Sequence, residues 1–232
     1  MPHGSGKGRG DANAGSFEEF FEGWLVRQEH YLDELLSVEQ HYHESRDEDL
    51  KDLIARVLSH YEQYYEEKSR MAQRNVFLVF SPPWFTPFQR TLLWIAGFKP
   101  ALTFQIVNGS VNDLSEDQSQ RMSRLNEETT ASERILTDEL ARIHESVASP
   151  PLLDLARRQG RGRWEEDEVS YKSTIGSAME SLVATADLLR TNTVTKVVEI
   201  LNPVQNVKFL SAATQLHLRI RNLGLQRQRH RC

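Results

Sequence analysis

Hydrophobic residues recur every three or four positions along most of this 232-residue chain. That spacing puts them on one face of an α-helix, whereas a half-buried strand would alternate every second residue. A first helix is predicted from Ser16, where Ser16 and Glu19 form a capping-box signature, to about residue 43. Its apolar stripe is broad and aromatic. The stripe comprises Phe17, Phe20, Phe21, Trp24, Tyr31, Leu32, Leu35 and Val38.

The same periodicity predicts a second helix from about residue 46 to near Asn75. The run "VFLVF" that follows has the composition of a short strand, but no neighbouring segment could pair with it. We therefore expect it to continue as helix or to form a buried turn.

Two long helices and a last helix are expected in the C-terminal half. One is capped at Ser115 and ends at Pro150, and the next spans residues 169–201. Asn202 and Pro203 then start a last helix, which Gly224 is expected to end. The stripe of the Ser115 helix comprises Met122, Leu125, Thr129, Leu136, Leu140, Ile143 and Val147. The stripe of the last helix comprises Phe209, Ala213, Leu216, Ile220 and Leu223.

The segment "SPPWFTPFQRTLLWIAGFKPA", residues 81–101, holds four of the eight prolines and two of the four tryptophans. Thr86, Pro87 and Gln89 predict a capped helix that ends at Gly97 in a left-handed residue, and Pro100 predicts a further short helix. We expect the segment to form a structural hub around which the longer helices pack. The hub residues are Pro82, Pro83, Trp84, Phe85, Phe88, Leu92, Trp94, Gly97, Phe98 and Pro100.

These elements predict an all-α fold, a bundle of long helices around short proline-bounded central helices. Residues 1–15 are interpreted as a disordered Gly-rich leader, 16–224 as a single helical domain and 225–232 as a basic tail. Between the two long C-terminal helices, "LLDLARR" is expected to be short and "QGRGRWEEDE" to be a polar loop.

Composition narrows the class of protein. The net charge of −5 argues against a uniformly basic nucleic-acid binder, and the single cysteine, Cys232, excludes an intrachain disulfide. No apolar run could span a bilayer and no secretory signal is present, so we expect no membrane association and a location in the nucleus, the cytoplasm or both. No nucleophile, phosphate-binding or zinc-protease motif occurs, which predicts a protein that is not an enzyme.

Three segments also carry a family resemblance: "FEEFFEGWLVRQEHYLDELL", "PPWFTPFQRTLLWIAGFKPA" and "VKFLSAATQLHLRIRNLG". They resemble the plant seed-dormancy-control (Delay of Germination) domain, which also forms the C-terminal part of TGA-type bZIP transcription factors. The resemblance runs from Phe17 to Gly224. No basic helix with leucine heptads is found in this sequence, so the chain is most similar to the stand-alone Delay of Germination-like members.

The resemblance implies a plant regulatory protein that acts by protein–protein contact in seed dormancy, abscisic acid signalling and transcription. It implies type 2C protein phosphatases or bZIP factors as partners, and a homodimer is compatible with the sequence. Aromatic side chains dominate interface hot spots, so the stripe around Trp24 is interpreted either as core or as a partner-binding surface. The partner-binding candidates are Phe17, Phe20, Phe21, Trp24 and Tyr31.

Two alternative functions stay open. After Glu199 the chain has no acidic residue, and Arg227, Arg229 and Arg231 are candidates for nucleic-acid contact or simply for a solvated helix end. The second alternative is a sensor of an apolar ligand, such as a fatty acid or haem, in a cavity near Trp84, Phe88 and Trp94. In that case His217 is a weak candidate for an axial haem ligand. No metal site and no required cofactor are predicted.

Overall fold

The computed structural model describes residues 7–41, 46–146 and 164–229; of residues 7–14 and 164–172 it describes only the helical backbone. Within these ranges the chain forms helices and no strands, which confirms the predicted all-α class. The helices are α1 (Lys7–His41), α2 (Asp47–Phe80), α3 (Pro87–Arg90), α4 (Leu102–Ser110), α5 (Glu116–Ser146), α6 (Trp164–Ile200) and α7 (Pro203–Arg229).

The helices enclose two apolar clusters. α1 packs on α2 and α7, α2 also packs on α6 and α7, and α6 packs along α5. One cluster surrounds Phe21 and Trp24, and the other surrounds Leu35 and Phe209. Tyr61 contacts both clusters. Because one side chain joins them, the two clusters form a continuous interior. No helix in the described ranges is long and apolar enough to cross a membrane.

The first helix starts earlier than predicted. α1 begins at Lys7, so Ser16 lies inside the helix and residues 7–15 are helical rather than a disordered leader. A serine followed by a glutamate three positions later permits a helix start but does not require one, and Ala12 and Ala14 favour helix. Residues 1–6 of the predicted leader lie outside the described residues.

α2 continues through "VFLVF", as expected. Asn75 has φ −162° and ψ 92°, which breaks the helix locally, and its Oδ1 accepts a hydrogen bond from the Phe77 amide at 3.2 Å. The side chain thus replaces a backbone acceptor at the kink. The predicted end at Asn75 is therefore a kink, and the helix resumes up to Phe80.

The predicted caps are confirmed on three helices. Thr86 and Gln89 form the full capping box of α3. At the start of α5, Ser115 Oγ accepts from the Gln118 amide, and the Gln118 side chain accepts from the Ser115 amide. Asn202 and Gln205 do the same for α7. Each pair satisfies two backbone donors that a helix start leaves free.

The helix after Thr86 is much shorter than predicted. α3 ends at Arg90, and residues 94–97 form a tight turn in which the Trp94 and Gly97 backbones bond each other at 2.6 and 3.2 Å. Ile95 (φ 44°) and Ala96 (φ 58°) are the left-handed residues, not Gly97. Such a conformation is costly for a β-branched residue, so packing elsewhere must impose it.

Gly224 does not end the last helix. α7 continues to Arg229, so residues 225–229 are helical; residues 230–232 lie outside the described ranges. A Cβ at Gly224 would lie 2.1 Å from Thr86 Oγ1. The glycine is needed for close approach of α7 to the α3 cap, because any side chain would collide with Thr86.

Several other expectations fall on residues 147–163, outside the described residues: Val147, Pro150, "LLDLARR" and the first part of the polar loop. α6 begins at Trp164, five residues before the predicted start. Along α5 the predicted stripe is buried at Met122, Leu125, Thr129, Leu136 and Ile143.

Candidate functional site

A cavity of about 240 Å³ lies between α2, α4, α6, α7 and the 93–99 segment. We call it the central cavity. Its walls are mostly rings and aliphatic side chains, with a few charged groups among them. The rings include Trp24, Tyr64, Tyr65, Phe85, Phe98 and Phe209. The charged and titratable members are Glu62, Lys68, Lys99, Arg190 and His217. Concave apolar cavities with few polar groups are the usual form of small-molecule sites.

A buried charged cluster forms part of this wall. Asp187 Oδ1 accepts hydrogen bonds from Lys68 Nζ at 2.7 Å and from Arg190 Nη1 at 2.5 Å. The side chains of Lys68 and Arg190 are only 3% and 5% exposed. Two cations share one carboxylate, so the cluster leaves one positive charge uncompensated. Burial lowers the pKa of Lys68 to about 8; the Asp187 charge opposes that shift and the Arg190 charge adds to it.

Arg190 also holds the strained turn. Its Nη2 donates to the carbonyls of Trp94 (2.6 Å) and Ile95 (2.9 Å), and its Nε donates to the Phe98 carbonyl (2.8 Å). A Cβ at Gly97 would lie 2.8 Å from Arg190 Cζ. The planar guanidinium thus satisfies three carbonyls that face inward, and Gly97 leaves room for it. The contact with Arg190 thus holds the turn that stands where the sequence predicts a helix up to Gly97.

Sequence reasoning missed Lys68 and Arg190. Both occupy positions of otherwise apolar stripes: Lys68 lies four residues after Tyr64 on α2, and Arg190 four residues after Ala186 on α6. A cation at a core position is the signal that could have identified them, since buried lysine and arginine are rare unless they are paired.

The N-terminal aromatic stripe belongs to the core. Trp24 is 1% exposed and Phe21 is fully buried; Phe17 is also buried, while Phe20 and Tyr31 are half-buried. The Trp24 indole donates to the His60 carbonyl at 2.8 Å, and its ring stacks on the His60 ring at 4.5 Å. In this conformation the face around Trp24 is covered by α2 and α7, so the core interpretation replaces that of a partner-binding surface.

Two histidines flank Trp24. His217 lies 5.4 Å from its ring and 6.4 Å from the Phe98 ring, on the cavity wall. Burial lowers the pKa of both His60 and His217 to about 4, with a further contribution to each from neighbouring positive charge. Both rings are therefore neutral at physiological pH. In the described ranges, no group of three histidine, cysteine or carboxylate side chains could hold a metal ion.

The hub residues are divided between core and surface. Pro82, Trp84, Phe85 and Pro100 are buried, and Phe88, Trp94, Gly97 and Phe98 are half-buried. Leu92 does not belong to the interior as expected, because it is 40% exposed; Pro83 is also exposed, in the turn that follows α2. The one-turn α3 and the turn that follows it, unlike the longer helix predicted from the sequence, direct Leu92 outward.

The basic C-terminal residues lie at the end of α7. Arg227 and Arg229 are exposed, and Arg227 Cζ lies 4.8 Å from the centre of the Phe88 ring. Arg231 lies outside the described residues. The structure thus places the Arg227 cation against the hub, in a cation–π contact, rather than in a free tail.

The helices and the central cavity define an all-α bundle with a mostly apolar pocket between its helices. A profile of the family described as Seed dormancy control matches residues 31–108. The chain is 38% identical to Protein RESPONSE TO ABA AND SALT 1 of Arabidopsis thaliana, over 91% of this chain and 96% of that protein. It is 37% identical to Protein ZW2 of the same plant, over 90% and 96%. It is 25% identical to Transcription factor TGA2.3 of Oryza sativa subsp. japonica, over 90% of this chain and 64% of that protein.

The chain therefore belongs to the Seed dormancy control (DOG1) family, which confirms the predicted resemblance. The relatives named here comprise two plant proteins, one with a name that refers to a hormone and salt response, and one transcription factor. None of the three is named as an enzyme. Together they connect the chain to plant regulation and to transcription.

Proposed function

We propose that the protein is a non-enzymatic plant regulator that acts by protein–protein contact in hormone signalling and transcription control. The observation that carries the proposal is the 38% identity to Protein RESPONSE TO ABA AND SALT 1 over nearly the whole length of both chains. The alignment with Transcription factor TGA2.3 over 90% of this chain supports bZIP factors of that type as partners.

The surface offers apolar side chains for such contact. Val26 on α1, Ile135 on α5 and Leu188 on α6 are 68%, 66% and 59% exposed. Ile135 and Leu188 lie on two helices that pack along each other. Exposed side chains of this size contribute to an interface once a partner covers them.

The test is a binding titration of the purified protein with a full-length TGA-type factor, and separately with a type 2C protein phosphatase. We expect a complex with at least one of them. Ile135→Asp and Leu188→Asp are expected to weaken it without lowering the melting temperature. Ser123→Asp, at an exposed position of α5, serves as a control. Absence of binding to both partners would refute this proposal.

A gel shift with DNA over a series of salt concentrations tests the nucleic-acid alternative. Loss of all DNA binding by physiological salt is expected here, because the three exposed arginines on α7 (Arg219, Arg227 and Arg229) provide few phosphate contacts. Sequence-specific binding that survives that salt concentration, and is lost in Arg227→Gln with Arg229→Gln, would instead favour a DNA-associated regulator.

The central cavity favours a second candidate function, the binding of an apolar ligand. A volume of about 240 Å³ with ring-lined walls is large enough to admit a small apolar molecule. The His217 ring is neutral, as a haem ligand must be. However, the ring already packs between Trp24 and Phe98. A fatty acid or another flexible apolar molecule therefore suits the cavity better than haem.

Native mass spectrometry of protein purified from plant cells tests this second function. A non-covalent mass increase that disappears on denaturation is expected. A haem absorption band that is lost in His217→Phe would identify haem as the occupant, whereas a protein that never carries or takes up an apolar molecule would exclude the function.

A further inference from the structure

Lys68 is the buried lysine of the central cavity wall. Its side chain is 3% exposed, and its Nζ lies 5.8 Å from the centre of the Tyr65 ring. The other lysines whose side chains the structure describes are exposed or half-buried: Lys51, Lys99, Lys196 and Lys208. An amine in such a wall faces apolar contents rather than bulk water.

Two features of the surroundings lower the pKa of Lys68 and so raise the fraction of neutral, nucleophilic amine, although the Asp187 carboxylate acts in the opposite direction. The first is burial, and the second is the Arg190 cation, which shares the Asp187 carboxylate with Lys68. Desolvation in an apolar pocket and a neighbouring cation are the two means by which proteins activate lysines for reaction with carbonyl compounds.

A third feature is that a proton acceptor, the Asp187 carboxylate, contacts the amine of Lys68. Asp187 Oδ1 lies 2.7 Å from Lys68 Nζ, and Arg190 Nη1 donates to the same oxygen. The carboxylate can therefore accept a proton from the ammonium group and return it to a nearby oxygen. An oriented carboxylate in hydrogen-bond distance meets the geometric requirement for general acid–base assistance.

We propose that Lys68 forms a reversible imine with an apolar aldehyde or ketone bound in the central cavity. Asp187 takes a proton from the Lys68 ammonium group, and the Nζ lone pair that is freed attacks the carbonyl carbon while the π electrons move to oxygen. The oxygen takes up that proton from Asp187, which gives the hydroxyl group of a carbinolamine. The nitrogen then loses a second proton to Asp187, and its lone pair expels the hydroxyl group, which leaves as water with that second proton. The carbonyl oxygen and two amine hydrogens thus leave as water, a protonated carbon–nitrogen double bond remains, and no oxidant or reductant is consumed.

This inference rests on the ligand-binding function proposed for the cavity and adds the chemical class of the ligand and its point of attachment. The opposing interpretation is that Lys68 only stabilises the fold by its ion pair with Asp187. In that case the amine would be protected by burial and would react more slowly than the exposed lysines.

The experiment exposes the folded protein to octanal with sodium cyanoborohydride, which reduces imines to stable amines, and locates the adducts by peptide mass spectrometry. Lys51, an exposed residue of the same helix, is the internal comparison. We expect Lys68 to be modified at least about tenfold faster than Lys51, because a far larger fraction of its amine is neutral. Equal or slower modification of Lys68 would overturn the proposal.

Two controls show whether the reactivity of Lys68 depends on the folded cavity or only on the local sequence. In guanidinium chloride the preference for Lys68 is expected to vanish, and a preference that persists would contradict the role of the fold. With glyoxylate, a charged aldehyde, the preference for Lys68 is expected to be much smaller; a larger preference would contradict the apolar class of the ligand.

Lys68→Arg keeps the positive charge but forms no imine. If that variant does not fold, the comparison of Lys68 with Lys51 in the wild-type protein still decides.

An apolar fluorescent probe without reductant reports whether the cavity takes up ligands at all. Probe binding without modification of Lys68 would overturn the imine and leave the ligand-binding function intact. Failure of both would overturn the two together.

Discussion

At the scale of single residues, three basic side chains lie against rings and have a lowered pKa. His60 and Lys68 are buried and His217 is half-buried, and removal from water lowers the pKa of each. His60 Nε2 has no hydrogen-bond partner among the described atoms, so nothing there would stabilise an added proton. The folded state thus favours the neutral imidazoles, and protonation of these two rings at low pH should destabilise the fold.

The first prediction concerns pH. Because the histidine pKa values fall from 6.5 to about 4 on folding, the unfolded chain binds more protons between those values. Stability contributed by the neutral rings is therefore complete above about pH 6.5 and is lost as the pH falls toward about 4. Urea unfolding at about pH 7 and about pH 4.5 measures this loss. In His217→Phe the loss should be smaller; an equal loss would contradict the assignment.

The second prediction concerns Gly224. Alanine there would place its Cβ 2.1 Å from Thr86 Oγ1, so α7 or the α3 cap must shift. We expect Gly224→Ala to destabilise the fold by about 1–3 kcal/mol, as overpacking does. Gly176→Ala on α6 is the control, since no atom lies within 4 Å of its Cβ, and it should stabilise by about 0.5–1 kcal/mol. Thermal unfolding of both variants decides; a Gly224→Ala variant as stable as wild type would contradict the close contact.

At the scale of the helices, contacts between residues close in sequence can be predicted from the sequence, and contacts between distant residues cannot. The caps Thr86–Gln89, Ser115–Gln118 and Asn202–Gln205 form between residues three apart, so the sequence alone identified them. The 94–98 turn, in contrast, is held by Arg190, which lies more than ninety positions away along the chain. No periodicity encodes such a contact.

The two glycines show the same limit. Gly97 and Gly224 were interpreted as helix ends, but each is required because a side chain from another element occupies the space of a Cβ. Likewise, the spacing of the aromatic residues on α1 predicts which face of the helix is buried. It does not predict that α2 and α7 are the helices that cover this face. The cavity residues range from Trp24 to Ile220, so the candidate site could only be seen once the helices were assembled.

The third prediction tests the cap of α7. Asn202 Oδ1 accepts from the Gln205 amide at 2.9 Å, and the Gln205 side chain also contacts Gln118 of α5. Asn202→Ala is expected to cost about 1 kcal/mol, the usual value for a lost N-cap. Asn126→Ala, at an exposed position inside α5, should change the unfolding midpoint little. The comparison is made by urea unfolding, and equal midpoints for the two variants would count against the cap.

At the scale of the whole molecule, the bundle combines a rigid frame with an internal space. The Lys68–Asp187–Arg190 cluster joins α2, α6 and the 94–98 turn on one wall of the central cavity. The same cavity wall includes residues of α4 and α7. A molecule inside would therefore contact most of the elements that fix the fold, and its binding would stabilise the folded state by mass action.

The last prediction follows from this arrangement. Ala213 lines the cavity from α7, and leucine there would fill part of the space with three further carbon atoms. We expect Ala213→Leu to keep or raise the melting temperature, because filling an existing cavity adds apolar contacts. The same substitution should weaken binding of the fluorescent probe anilinonaphthalene sulfonate by about tenfold or more, because it occupies the space of the probe. Ala184→Leu, at an exposed position of α6, adds the same atoms outside the cavity and should leave probe binding unchanged. If Ala213→Leu binds the probe as wild type does, the probe occupies the surface and the cavity is only a feature of packing. If probe binding is lost while the fold is retained, the interior is accessible, and the fold has kept this space at the expense of close packing.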